Sequence, residues 1–148
     1  MTINSKNKGS GWERDAVELL NTKLKGNFKR IPSSGAIGTI MKESLLTGDI
    51  TGVVNFLSKK LKIECKVGYG GATQMALKKE WLDKISEESK VALSIPMLLG
   101  KFSGARGGIK YFVVFDFDTF VEIFSKAIDN KDKLDALYDK LQEMKNEQ

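Results

Sequence analysis

Asp49, Glu64 and Lys66 are the residues of this 148-residue sequence whose types and spacing could do chemistry together. Glu64 and Lys66 stand two apart in the run Leu61-Lys62-Ile63-Glu64-Cys65-Lys66-Val67. In a strand they leave one face, while Ile63, Cys65 and Val67 leave the other. The Glu-x-Lys triplet is common and recurs as Glu88–Lys90 and Glu143–Lys145, where the surroundings read as helical and the charges as solvated. Only the first lies in an apolar strand with Gly48-Asp49-Ile50 upstream. If segments 49–54 and 61–67 form an antiparallel hairpin turning near Phe56, Asp49 and Glu64 fall opposite each other or nearly so. Two carboxylates on neighbouring strands can hold one or two divalent ions against a scissile phosphate. Such an ion lowers the pKa of a bound water and offsets charge on the attacking and leaving oxygens. The lysine adds a cation that orients the water and stabilises the transition state. The plain alternative is a surface ion pair across adjacent strands, which leaves Gly48-Asp49-Ile50 and the nearby basic loop unexplained.

Composition narrows the chemistry further. The chain has no histidine, which removes serine–histidine and cysteine–histidine catalysis and every histidine metal ligand. One cysteine, Cys65, excludes thiolate zinc clusters and an internal disulfide, and fits a reducing compartment. Any metal must then sit among oxygen ligands, which favours Mg²⁺ or Mn²⁺. The net charge of +5 suits a polyanionic partner. No apolar run reaches the roughly 18 residues that cross a bilayer. The polar start of the chain lacks an export signal, so the expected setting is the cytoplasm, away from membranes.

These residues need a frame. Ser10-Gly11-Trp12-Glu13 has the spacing of a capping box, followed by Trp12, Ala16, Leu19, Leu20 and Leu24 at helical intervals. A helix is therefore expected over about 11–25, with residues 1–9 as a flexible basic tail. A short strand over 28–31 stops at Pro32. Residues 33–47 read as an irregular, ligand-facing loop. The second helix is expected over about 73–89, opened by Gln74, with Leu77, Trp81, Leu82 and Ile85 as its buried stripe. Segments 91–99 and 110–115 are apolar enough for central strands, joined by a basic, glycine-rich tip. Two helices, about 119–128 and 131–145, close the chain. The order describes one α/β domain over residues 1–148, with a mixed central sheet flanked by helices.

This arrangement resembles the PD-(D/E)XK nuclease superfamily and, within it, the archaeal and phage Holliday junction resolvases. The likeness rests on Glu13-Arg14, on Arg30 followed by Ser33-Ser34-Gly35, on Gly48-Asp49-Ile50 and on Ile63-Glu64-Cys65-Lys66. It covers about residues 9–68. Two features depart from the pattern: glycine replaces the proline before the first aspartate, and the segment between Gly35 and Asp49 is longer. The resemblance implies a restriction-endonuclease-like fold and a catalytic group of Glu13, Asp49, Glu64 and Lys66. Metal would bind Asp49, Glu64 and the Cys65 carbonyl, with Glu13 reaching it or its waters from the first helix. A capping box would instead tie the Glu13 carboxylate to the Ser10 amide. Arg14 and Arg30 are candidate phosphate ligands. Ser33 and Ser34 could donate hydroxyls to a DNA backbone, and Lys78 could flank it.

The expected activity is Mg²⁺- or Mn²⁺-dependent hydrolysis of DNA, with four-way junctions as the leading substrate. Symmetric resolution of a junction needs two active sites, which implies a homodimer. Two alternatives stand beside it. The same fold could cut ordinary or damaged duplex, or the chain could be a DNA-binding module without catalysis. A binding module, however, has no need of Asp49, Glu64 and Lys66 together.

Overall fold

The structure is a computed structural model that describes residues 5–31 and 48–146. Its elements run α1 (Ser5–Leu24), β1 (Asn27–Arg30), β2 (Ile50–Val53), β3 (Leu61–Val67), α2 (Lys79–Val91), β4 (Ile95–Lys101), β5 (Tyr111–Val114) and α3 (Phe117–Asn146). The five strands form one sheet in the order β1-β2-β3-β4-β5. Among the described residues only the β3–β4 pair is parallel. A parallel pair needs a crossover, and α2 supplies it. The class is α/β, with a mixed sheet flanked by helices. By backbone contacts the chain forms two compact units, Met1–Asp116 and Phe117–Gln148.

In the first unit α1 packs on β1 and β3, and α2 packs on β3 and β4. Trp12, Ala16 and Leu20 form the buried stripe of α1, with Trp81 and Ile85 that of α2. Ile50, Ile63, Ile95 and Leu98 are almost fully buried at the sheet's centre. Each such side chain contributes about 1.5–3 kcal/mol by leaving water. β4 reads as a nearly unbroken apolar run because it is covered throughout. β5, expected to be central, is an edge strand with Tyr111 and Val113 exposed.

β3 shows why its polar face becomes a site only at one end. Lys62 is buried near Glu88 of α2, whereas Glu64 and Lys66 are only partly covered. Burial holds the Lys62 ammonium below its ordinary range, and Glu88 counters that effect. The polar face is therefore closed at the start of the strand and somewhat more accessible towards its end.

Several expected boundaries move. Helix α1 begins at Ser5, so it takes in part of the segment read as a tail and places Ser10 inside the helix. A left-handed turn follows it at Lys25 (φ 49°). Residues 73–78 precede α2 instead of opening it, and Leu77 is exposed. Here the chain closes a loop, with the Ala76 amide donating to the Tyr69 carbonyl at 3.0 Å. Gln74 belongs to that loop. α2 runs to Val91, where a strand was expected. In the second unit α3 is one continuous 30-residue helix where two were expected. Asp129-Asn130 contains neither glycine nor proline to break it, and pairs such as Lys126–Glu122 and Lys131–Asp135 run along its surface.

The end of α2 explains one of these shifts. The Ser94 amide donates to the Ser89 carbonyl at 2.9 Å and the Leu93 amide to the Lys90 carbonyl at 3.3 Å. This is a Schellman closure with its left-handed residue at Leu93, φ 49°. Glycine usually marks that position, so leucine there hides the helix end. The exposed Leu93 side chain gains no burial to offset the backbone strain. Leu93→Gly is expected to stabilise the protein by about 1 kcal/mol. Chemical denaturation would check it, and a loss of stability would contradict the strained-turn account.

Candidate active site

The β2–β3 register brings the chemistry together. Ile50 lies opposite Ile63 and Thr51 opposite Lys62. Continuing one residue outward sets Asp49 against Glu64. Although β2 is assigned from Ile50, Asp49 still joins its neighbours. Its amide donates to the Ile63 carbonyl at 2.9 Å, and its carbonyl accepts from the Ile31 amide at 2.9 Å. Gly48 turns with φ 83° just before it, and a Cβ there would meet the Lys62 stem at 3.2 Å. Asp49 is thus clamped between β1 and β3 at the point where β2 begins.

The side chains interlock. The Cys65 amide donates to Asp49 Oδ2 at 2.7 Å. Lys66 Nζ donates to Glu64 Oε1 at 2.5 Å, and both side chains are about 85% shielded from solvent. The same Nζ lies 5.0 Å above the Trp81 ring, a cation–π contact. Lys78 Nζ lies 5.8 Å from that ring and 3.5 Å from Glu80. Tyr69 meets Trp81 edge-on at 4.6 Å.

Glu13 faces the group from α1. Arg30 donates to Glu13 Oε2 through Nε at 3.0 Å and through Nη2 at 2.6 Å, and Nη2 also reaches Ser10 Oγ at 3.1 Å. This corrects the capping-box expectation. Ser10 and Glu13 are one turn apart on the same helix face, and that spacing serves a guanidinium from β1. Arg30 is thereby a partner of Glu13. Arg14 is exposed on α1, and no described contact joins it to the group. Ser33 and Ser34 lie outside the described residues.

The electrostatics reflect crowded carboxylates. Burial pushes Asp49 up to about 7, and the charges on Glu64 and then Glu13 add to the rise. The Cys65 amide and Lys66 pull in the other direction. For Lys66, burial alone would lower the pKa. The hydrogen bond and charge of Glu64, with the charge of Asp49, more than offset it, so the ammonium is held above its ordinary range. Burial pushes the Cys65 thiol up, helped by Asp49, Glu13 and Glu64. That thiol is no nucleophile at neutral pH.

The donors suit a hard divalent cation. Asp49 and Glu64 offer carboxylate oxygens from facing strand positions, and the burial and the Glu64 repulsion that raise Asp49 are what such an ion would offset. Among the described residues no three acidic or thiol side chains gather at metal-holding distance. Further ligands would therefore be main-chain oxygen, for which Cys65 is placed between Glu64 and Lys66, or water. No described helix is long and apolar enough to cross a membrane.

Three contacts were not foreseen from sequence: the Trp81 ring under Lys66 and Lys78, the Arg30 bridge to Ser10, and Lys8 near the end of β3. Trp81 was read as core only. Helical periodicity places a ring on the buried side but not which cation lies over its face.

A family model described as a phage putative PDDEXK endonuclease matches residues 4–147. No curated protein matches the chain.

The raised Asp49 pKa has a direct consequence for stability. A carboxyl that binds its proton more tightly folded than unfolded contributes fully below its ordinary value, 3.8, and loses that contribution as pH rises through about 7. Asp49→Asn keeps an oxygen for the Cys65 amide and carries no charge. The variant is expected to melt several degrees above wild type at about pH 8, the gain shrinking as pH falls towards 4. Thermal scans across pH would measure it, and a gain that is independent of pH would refute the buried-carboxyl origin.

Proposed function

Because the chain belongs to this phage PDDEXK endonuclease family, and so to the PD-(D/E)XK superfamily of nucleases, we propose that it hydrolyses DNA phosphodiesters with Mg²⁺ or Mn²⁺ at Asp49, Glu64 and Lys66. The observation that carries this reading is the Asp49–Glu64 register, with the Cys65 amide on one carboxylate and Lys66 on the other. Asp49, Glu64 and the Cys65 carbonyl would hold the metal. The bound ion would supply Lewis acidity for an attacking water and offset charge on the phosphate oxygens.

The chain's own residues do the rest. The Cys65 amide fixes the direction of Asp49, so this carboxylate needs little reorganisation. Glu64 and Trp81 hold the Lys66 ammonium from two sides. From there it orients the nucleophilic water and stabilises charge developing on the phosphorus-bound oxygens. Glu13, held by the fork of Arg30, adds negative charge near Asp49 without closing on it. Its role is to support the site.

The substrate reading is a four-way DNA junction, as in recombination and repair. Its support is the resemblance of residues 9–68 to junction resolvases, and it carries a homodimer with it, since two strands must be cut.

The test is cleavage of a labelled four-way junction and of a linear duplex of the same sequence, with Mg²⁺ or with chelator. Wild type is expected to place paired symmetric nicks near the branch point only when the metal is present. Asp49→Asn, Glu64→Gln and Lys66→Ala should each lose about 100-fold or more in rate. Equal cutting of the linear DNA would keep the nuclease and remove the junction preference. Metal-independent binding of the junction without cutting would replace the enzyme with a binding module.

A further inference from the structure

A cleft of about 380 Å³ opens beside the site, lined by Cys65 and Lys66 together with Lys8, Gly68 and Tyr69. This is the size of a small-ligand pocket. Its second cation, Lys8, comes from the first turns of α1, outside the Asp49–Glu64–Lys66 group. Lys8 Nζ donates to Ser103 Oγ, in the loop after β4, at 2.6 Å. Among the described residues no carboxylate pairs with it. The end of its side chain lies against Gly68. A Cβ there would come within 2.9 Å of Lys8 Nζ and 3.4 Å of its Cε, and the residue turns with φ 89°. The lysine stem therefore lies along the backbone that immediately follows Lys66 and Val67. The half-exposed Tyr69 also lines the cleft, its ring braced by Trp81.

We propose that Lys8 anchors the DNA phosphate adjoining the scissile one, with the intervening nucleotide lying in this cleft against Tyr69. The inference rests on the nuclease reading of Asp49, Glu64 and Lys66 and extends it. Lys66, on the lining of the cleft, serves the reacting phosphate. A second ammonium on the same lining, with no carboxylate partner among the described residues, suits the next phosphate along the strand. Ser103 holds the amine by accepting a single proton and leaves the other two for phosphate oxygens. Lys8 is accordingly a positioning residue, whose effect appears in binding before it appears in the chemical step.

The experiment compares wild type, Lys8→Ala, Lys8→Arg and Ser103→Ala for Mg²⁺-dependent cleavage and for the salt dependence of DNA binding. Lys8→Ala is expected to raise KM about tenfold with kcat within twofold, and to lower the slope of log affinity against log salt by about one. Lys8→Arg should restore the slope. Ser103→Ala breaks the same tie yet keeps the cation, so it should retain the slope and separate charge from fold. A neutral methylphosphonate beside the cut, tried on each side in turn, should weaken wild type on one side and leave Lys8→Ala unaffected there. A Lys8→Ala protein with the wild-type KM and salt slope overturns the proposal while the nuclease reading stands. A lowered kcat with an unchanged slope overturns it too, as the mark of a merely structural contact. A wild type that neither binds nor cuts DNA ends the nuclease reading and this inference with it.

Discussion

The pairing of Ile50 with Ile63 is the constraint on which the site depends. Both side chains are fully buried, and strand side chains alternate with a period of two. A slip of one residue would turn one of these isoleucines out of the core and break the facing of Asp49 with Glu64 in the same step. Hydrophobic burial thus enforces an arrangement that electrostatics opposes, since two carboxylates are brought together away from water. The raised pKa of Asp49 is the visible trace of that opposition. The Cys65 amide and Lys66 reduce the repulsion without removing it.

Helix α1 is the second fixture. Its Asn21 side chain takes both main-chain groups of Phe28, donating to the carbonyl at 3.1 Å and accepting from the amide at 2.7 Å. Two to three turns earlier, Ser10 and Glu13 hold Arg30. At mid-helix, Asp15 pairs with Lys101, which also lies over the Trp12 ring. The helix is thus tied to β1 near its C-terminal end and in its N-terminal half, and to β4 from its middle. Because β1 also pairs with β2, any tilt of α1 would be felt at Asp49 through the Ile31 amide.

What sequence made legible was whatever depends on near neighbours. The alternation in Leu61–Val67 marked β3 to the residue, and the symmetry of the segments about Phe56 placed Asp49 opposite Glu64. What it concealed depends on partners distant in the chain. Ser10-x-x-Glu13 is the same spacing whether it caps a helix or grips an arginine, and only the position of β1 decides. Leu93 in a left-handed turn and the uninterrupted α3 lack the glycine or proline that usually marks a helix end. The loop before α2 carries apolar and polar residues at helical intervals, yet its Ala76 amide closes on the Tyr69 carbonyl. Lys8 gave no local signal, because its significance lies in Ser103 and Gly68, each far along the chain.

The inert thiol of Cys65 has a consequence for selectivity. Thiolates recruit soft and borderline ions such as copper and zinc, which outcompete magnesium wherever sulfur is offered. Here the sulfur belongs to the residue that follows Glu64, and its thiol feels the charges of Asp49, Glu13 and Glu64. Burial and three neighbouring carboxylates keep it protonated. A cation held as proposed at Asp49 and Glu64 would therefore find no thiolate beside it, and the surroundings that crowd the acids would remove the sulfur advantage of softer metals.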